Sequence, residues 1–83
     1  MKCLLIYDIP DDKVRAKVAD ICLDYGLQRI QYSSFLGEMN HNRQGEILLK
    51  RRIGNHEANV QLFPLCEKDL ALRKELVVKP TAK

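Results

Sequence analysis

The chain has no tryptophan, only two phenylalanines and three tyrosines, and no apolar run longer than Cys3-Leu4-Leu5-Ile6-Tyr7. A bilayer span needs roughly 20 consecutive apolar residues. No membrane span is therefore expected, and no secretory pattern precedes the first apolar run. Glycine and proline are scarce too, four and three residues, while 46% of the chain is apolar and 30% charged. That balance excludes collagen-like and disordered classes and fits an ordinary globular domain. The three cysteines, Cys3, Cys22 and Cys66, include no CxxC pair, which removes zinc knuckles and thioredoxin-type redox motifs. An odd count without a leader suggests the reducing cytoplasm and three small apolar packing residues. His41 and His56 sit in polar surroundings with no second ligand at fixed spacing and read as surface loop residues. Glycine-rich phosphate loops, nucleophile elbows and HExxH pairs are absent, as is the aromatic-rich strand signature of RNA-recognition modules.

What is present fits one small domain over residues 1–83. A domain of this size buries only about 60–65% of its unfolded surface, so a partner, including a second copy, would add much. The net charge of +3 is uneven: residues 1–40 carry five basic and six acidic groups, residues 41–83 nine and five. Lys50-Arg51-Arg52 is the densest basic cluster. It suits a phosphate backbone, or simply a solvated helix face.

Residues 2–7 read as a strand covered on both faces, because their apolarity is continuous rather than alternating. Residues 12–25 form an amphipathic helix: Val14, Val18, Ile21, Cys22 and Tyr25 make one stripe of a 3.6-residue period. Asp11 or Asp12 caps its start, and Gly26 suits the left-handed position after its end. Residues 27–39 suggest two strands reversing near Tyr32-Ser33. Residues 42–53 suggest a poorer helix with Ile47, Leu49 and Ile53 on one side, weakened at Gly45 by roughly 1 kcal/mol and stopped by Gly54-Asn55-His56. Residues 59–65 form a strand whose Pro64 points to an edge or a bulge. Residues 75–79 suggest a last short strand before a frayed tail at 80–83.

The order β-α-β-β-α-β is that of an α+β, ferredoxin-like sandwich, here with an extra C-terminal strand. Both helices then cover one sheet face and leave an apolar face bare. A two-fold homodimer packing sheet on sheet, through the first strand and residues 59–65, is the simplest cover.

Asp8, at the carboxyl end of the first strand, is the candidate for chemistry. A carboxylate held there suits Mg²⁺ or Mn²⁺; on composition alone, bonding backbone amides in the turn before Pro10 is the commoner role of such an Asp. One carboxylate holds a metal poorly, and a dimer axis beside Asp8 would supply a second. Phosphate contacts can come from Arg15, Lys17 and Arg29 or from Lys50, Arg51 and Arg52, and residues 72–79 can lend a strand to a neighbour. Ser33 can position a phosphate or a water, or satisfy its own backbone.

Tyr7-Asp8-Ile9, Asp11-Asp12-Lys13 with Arg15, Tyr25-Gly26, then Arg29, Gln31, Ser33, Phe35 and Gly37 resemble the CRISPR-associated protein 2 family in order and spacing. Phe63-Pro64-Leu65-Cys66 resembles its late strand. The resemblance covers about residues 1–38 and 57–68. Residues 40–56 depart from the pattern, Ala58-Asn59 stands where an acidic residue is often found, and Leu36 replaces a common acid. The resemblance implies a ferredoxin-like homodimer of prokaryotic adaptive immunity that bridges the integrase, CRISPR-associated protein 1, during spacer insertion. It also implies a metal-dependent endonuclease on RNA or double-stranded DNA, in which Asp8 holds one Mg²⁺ or Mn²⁺ shared between subunits. The alternative is a ferredoxin-like regulatory or small-ligand-binding dimer without nuclease activity.

Overall fold

The structure, a computed structural model, describes residues 2–38 and 43–80. His41, the start of the second expected helix and most of the expected frayed tail lie outside them. The elements run β1 (Lys2–Asp8), α1 (Asp12–Asp24), β2 (Gln28–Gln31), β3 (Ser34–Glu38), α2 (Arg43–Ile53), β4 (Asn59–Leu65) and α3 (Glu67–Ala71). The strands form one sheet in the order β2-β3-β1-β4, and every neighbouring pair is antiparallel. This is the ferredoxin-like order expected from the chain. The central position of β1 explains its double-sided apolarity.

Helix α1 starts where Asp11 caps it: its carboxylate accepts from the Val14 N–H at 2.9 Å. It stops because Gly26 takes φ +83°, a conformation that costs any residue with a Cβ. Four residues of the expected stripe, Val14, Val18, Ile21 and Cys22, are buried together with Ala19, whereas Tyr25, at the C-cap, is only half-buried. Val14, Val18, Ala19 and Cys22 meet Cys3, Leu5 and Tyr7, the alternate residues of β1, and Phe35 of β3, which is fully buried. Each large side chain in this layer contributes about 1.5–3 kcal/mol by leaving water. Gly37 faces the same layer because nothing larger fits: an added Cβ would lie 3.0 Å from the Leu27 side chain and 3.2 Å from its backbone.

The other sheet face is bare. Register places Leu4 beside Leu36 and Phe63, Ile6 beside Ser34 and Gln61, and Lys2 beside Leu65. Leu4, Ile6, Leu36 and Leu65 are only half-buried there, and Phe63 is exposed. Helix α2 is attached more loosely than α1. Leu49 and Ile53 pack against the core with Ala58 and Val60, whereas Ile47, expected on the same side, is exposed. Between α2 and the edge strand β4 lies an apolar groove lined by Leu5, Leu49, Ile53, Val60 and Leu62, with Glu46 and Lys50 at its rim.

Two expectations are corrected. Residues 75–79 are not a strand: the chain forms the short helix α3 and then runs without regular structure over 72–80. A strand needs a ladder partner; both neighbours of β1 are already in place, and residues 73–76 lie beside Ile30 and Gln31 without pairing. Leu76, Val77 and Val78 keep their strand propensity and stay exposed. Cys66 is the second correction. It is exposed ahead of α3, and only Cys3 and Cys22 are buried packers.

Candidate functional site

Asp8 ends β1 opposite Asn59 of β4. Strand alternation puts it on the bare face, in line with Leu4 and Ile6. Its carboxylate is exposed in a shallow pocket lined by Ile6, Tyr7, Asn59 and Gln61. The Gln61 side-chain amide donates to Asn59 Oδ1 at 3.1 Å, which fixes the two amides relative to each other. The side chains around Asp8 are two amides beside one carboxylate, and amide and carboxylate oxygens are the ligand class that suits Mg²⁺ or Mn²⁺. One chain carries only one carboxylate here, and no group of three His, Cys, Asp or Glu able to hold a metal occurs among the described residues. The residues fit a divalent ion only if a second Asp8 joins them.

The turn between β1 and α1 is tied down at several points. Arg15 Nη1 donates to the Ile9 carbonyl at 2.9 Å, and its Nη2 pairs with Asp12. Burial works against the guanidinium charge, but hydrogen bonds to Asp12 and Tyr32 outweigh it and hold the Arg15 pKa above its ordinary value. The hydrogen bond from the Val14 N–H holds the Asp11 carboxyl below its usual value, opposed by desolvation and helped by His56. His56 Nδ1 lies 3.9 Å from Asp11 Oδ2, linking the α2–β4 turn to the start of α1. Exposed pairs of this kind contribute little stability; this one registers two turns against each other beside Asp8.

The structure separates the expected basic residues into three places. Arg15 and Arg29 converge on Tyr32, with their guanidinium carbons 5.6 and 5.9 Å from its ring centre. Lys17 is exposed on α1, two residues and about 200° round the helix from Arg15. Lys50, Arg51 and Arg52 occupy the exposed last turn of α2, where cations complement the helix dipole. Ser33 sits in the β2–β3 turn, and its carbonyl accepts from the Tyr7 N–H at 3.0 Å. That bond ties the turn to the strand ending in Asp8.

Sequence reasoning missed Tyr32, which is 70% exposed between two arginines. An aromatic next to a turn, three residues after an arginine, was the available signal. It also missed the Tyr7 hydroxyl, which is buried without a protein hydrogen-bond partner, a state that costs about 1–3 kcal/mol.

A family model for CRISPR associated protein Cas2 matches residues 1–72. A CRISPR-associated endoribonuclease Cas2 of Desulforudis audaxviator is 51% identical over 80 residues, covering 94% of this chain and 76% of that protein. Another, from Chloroflexus aurantiacus, is 51% identical and covers 92% of each chain. A Cas1/Cas2 endonuclease fusion of Thermoproteus tenax is 32% identical over 99% of this chain, which spans 32% of the fusion. The crystal structure of Streptococcus pyogenes Cas2 has the same fold, with a TM-score of 0.78 at 24% identity over 93% of this chain and 100% of that one.

Proposed function

The chain belongs to the CRISPR-associated protein Cas2 family, and from that premise we propose that it is a homodimeric, nucleic-acid-binding adaptor of spacer acquisition and a metal-dependent endonuclease. The observation that carries the nuclease reading is the position of Asp8 on the bare apolar sheet face. Packing that face on a second copy covers Leu4, Ile6, Leu36 and Phe63 and brings two Asp8 carboxylates to the margin of one interface. Two like charges in one cleft repel, and a divalent cation between them relieves the repulsion.

When bound, such an ion would supply Lewis-acid stabilisation of the charge that develops on a phosphodiester. Asp8 from each subunit would hold it, with the Asn59 and Gln61 amides at the rim. Arg15, Lys17 and Arg29 on one side, and Lys50, Arg51 and Arg52 on the other, bind backbone phosphates; the Ser33 hydroxyl positions a phosphate or water. Residues 72–79 supply a strand to a neighbouring molecule. The fused relative supports the Cas1 integrase as the protein partner, in a cytoplasmic complex. A regulatory or small-ligand-binding module without nuclease activity is disfavoured by the family match.

The test is cleavage of single-stranded RNA and of duplex DNA with Mg²⁺ or Mn²⁺. Asp8→Asn should lose cleavage while keeping duplex binding, since the phosphate contacts lie elsewhere. Equal cleavage by wild type and Asp8→Asn returns Asp8 to the role of a turn residue.

A further inference from the structure

Tyr7 is 94% buried by its 6% exposure, and its hydroxyl is the one buried side-chain polar atom without a protein partner among the described residues. It lines a pocket with Asp12, Arg15, Arg29 and Tyr32, where Ala16 and Ala19 leave the α1 wall low. One pocket lining thus holds a solvent-excluded hydroxyl and two guanidiniums, donors that suit an anion, together with the Asp12 carboxylate that pairs with Arg15. Arg15 is anchored by Ile9 and Asp12. Ring faces hold Arg29, whose guanidinium carbon is 5.1 Å from the centre of Phe35 and 5.9 Å from that of Tyr32. Tyr32 itself is an exposed aromatic on a two-residue turn, held between Arg15 and Arg29, and a ligand reaches the buried Tyr7 hydroxyl only when a side chain of the pocket wall moves aside.

We propose that this pocket takes one unpaired nucleotide, with its phosphate on the Tyr7 hydroxyl and the Arg29 and Arg15 guanidiniums and its base stacked on Tyr32. The inference rests on the nucleic-acid reading above and narrows it to strands with unpaired residues. A duplex presents phosphates but no free base face, so only a single strand engages both halves of the pocket. Tyr7 and Asp8 are consecutive and point to opposite faces of β1. A strand that left the pocket round the end of β1 would reach Asp8. No group in the pocket is assigned to a 2′-hydroxyl, so RNA and DNA strands share the site.

Anisotropy titrations of labelled hexanucleotides, RNA and DNA, and of a duplex control test this in excess EDTA, which removes the metal step. Tyr32→Ala should weaken single-strand binding about tenfold, Tyr32→Phe should restore it, and duplex binding should not move. Tyr7→Phe, which keeps the core ring, should weaken the single strand severalfold. If single strands bind but Tyr32→Ala matches wild type, or single strand and duplex weaken alike, the pocket proposal is overturned while the nucleic-acid reading stands. If neither single strand nor duplex binds the wild type, the nucleic-acid reading falls, and the pocket proposal with it.

Discussion

From Cys3 to Phe35 the chain supplies all eleven buried apolar residues of the described structure; from residue 43 onward it supplies none, and seven of the nine exposed large ones lie there. The first region packs β1, α1 and β3 into a closed layer. The second leaves a groove beside β4, an apolar sheet margin at Phe63 and a tail with Leu72, Leu76, Val77 and Val78 in solvent. The charge divides the same way, −1 over residues 1–40 and +4 over 41–83. One half of the molecule is built to fold, and the other is built to be covered. Such exposure on a chain this small is unfavourable in isolation, and cover over Phe63 or the tail would relieve it.

The largest contrast is in stability. Phe35→Ala should cost about 3–5 kcal/mol in urea unfolding. Leu62→Ala, at a side chain 43% exposed, should cost far less at concentrations where the chain is monomeric. Equal losses would erase the distinction between the regions. Next in size, Phe63→Glu should raise the dimer dissociation constant about thirtyfold or more in sedimentation equilibrium without unfolding the chain. A wild type that stays monomeric at micromolar concentration would remove the sheet-on-sheet dimer.

The regions also differed in how much their residues revealed. The α1 stripe, the Asp11 cap, the Gly26 stop and the reversal at Tyr32-Ser33 rest on local chemistry, and all are present. The C-terminal strand did not form, because propensity at Leu76–Val78 is not pairing: a ladder needs a second strand. Helix α3 was invisible because five residues are too few to show a period. Asp8 was legible from its place at a strand end. Tyr32 and the Tyr7 hydroxyl were not, since their meaning arises only when α1 and the β2–β3 turn converge.

Gly45 allows the second region to be strengthened. An added Cβ would meet the Tyr25 ring at 3.7 Å, an ordinary contact, so Gly45→Ala should stabilise by about 0.5–1 kcal/mol in thermal unfolding. Thiol chemistry reports the same division. Burial pushes the Cys22 thiol up to about 11, so alkylation of the native protein at pH 8 should modify exposed Cys66 and spare Cys3 and Cys22. Modification of all three at one rate would contradict the closed layer. The smallest effect is acid sensitivity. The folded Asp11 carboxyl sits below its ordinary 3.8, so its contribution is complete above that value and is lost as pH falls through the lower folded one. Asp11→Asn should therefore shed stability at neutral pH and flatten the acid limb.

A metal site completed by a second subunit is the central proposal, and calorimetric titration with Mn²⁺ reads it most directly. That proposal predicts one ion per two chains for wild type and no such binding for Asp8→Asn. One ion per chain, or undiminished binding by Asp8→Asn, would contradict it.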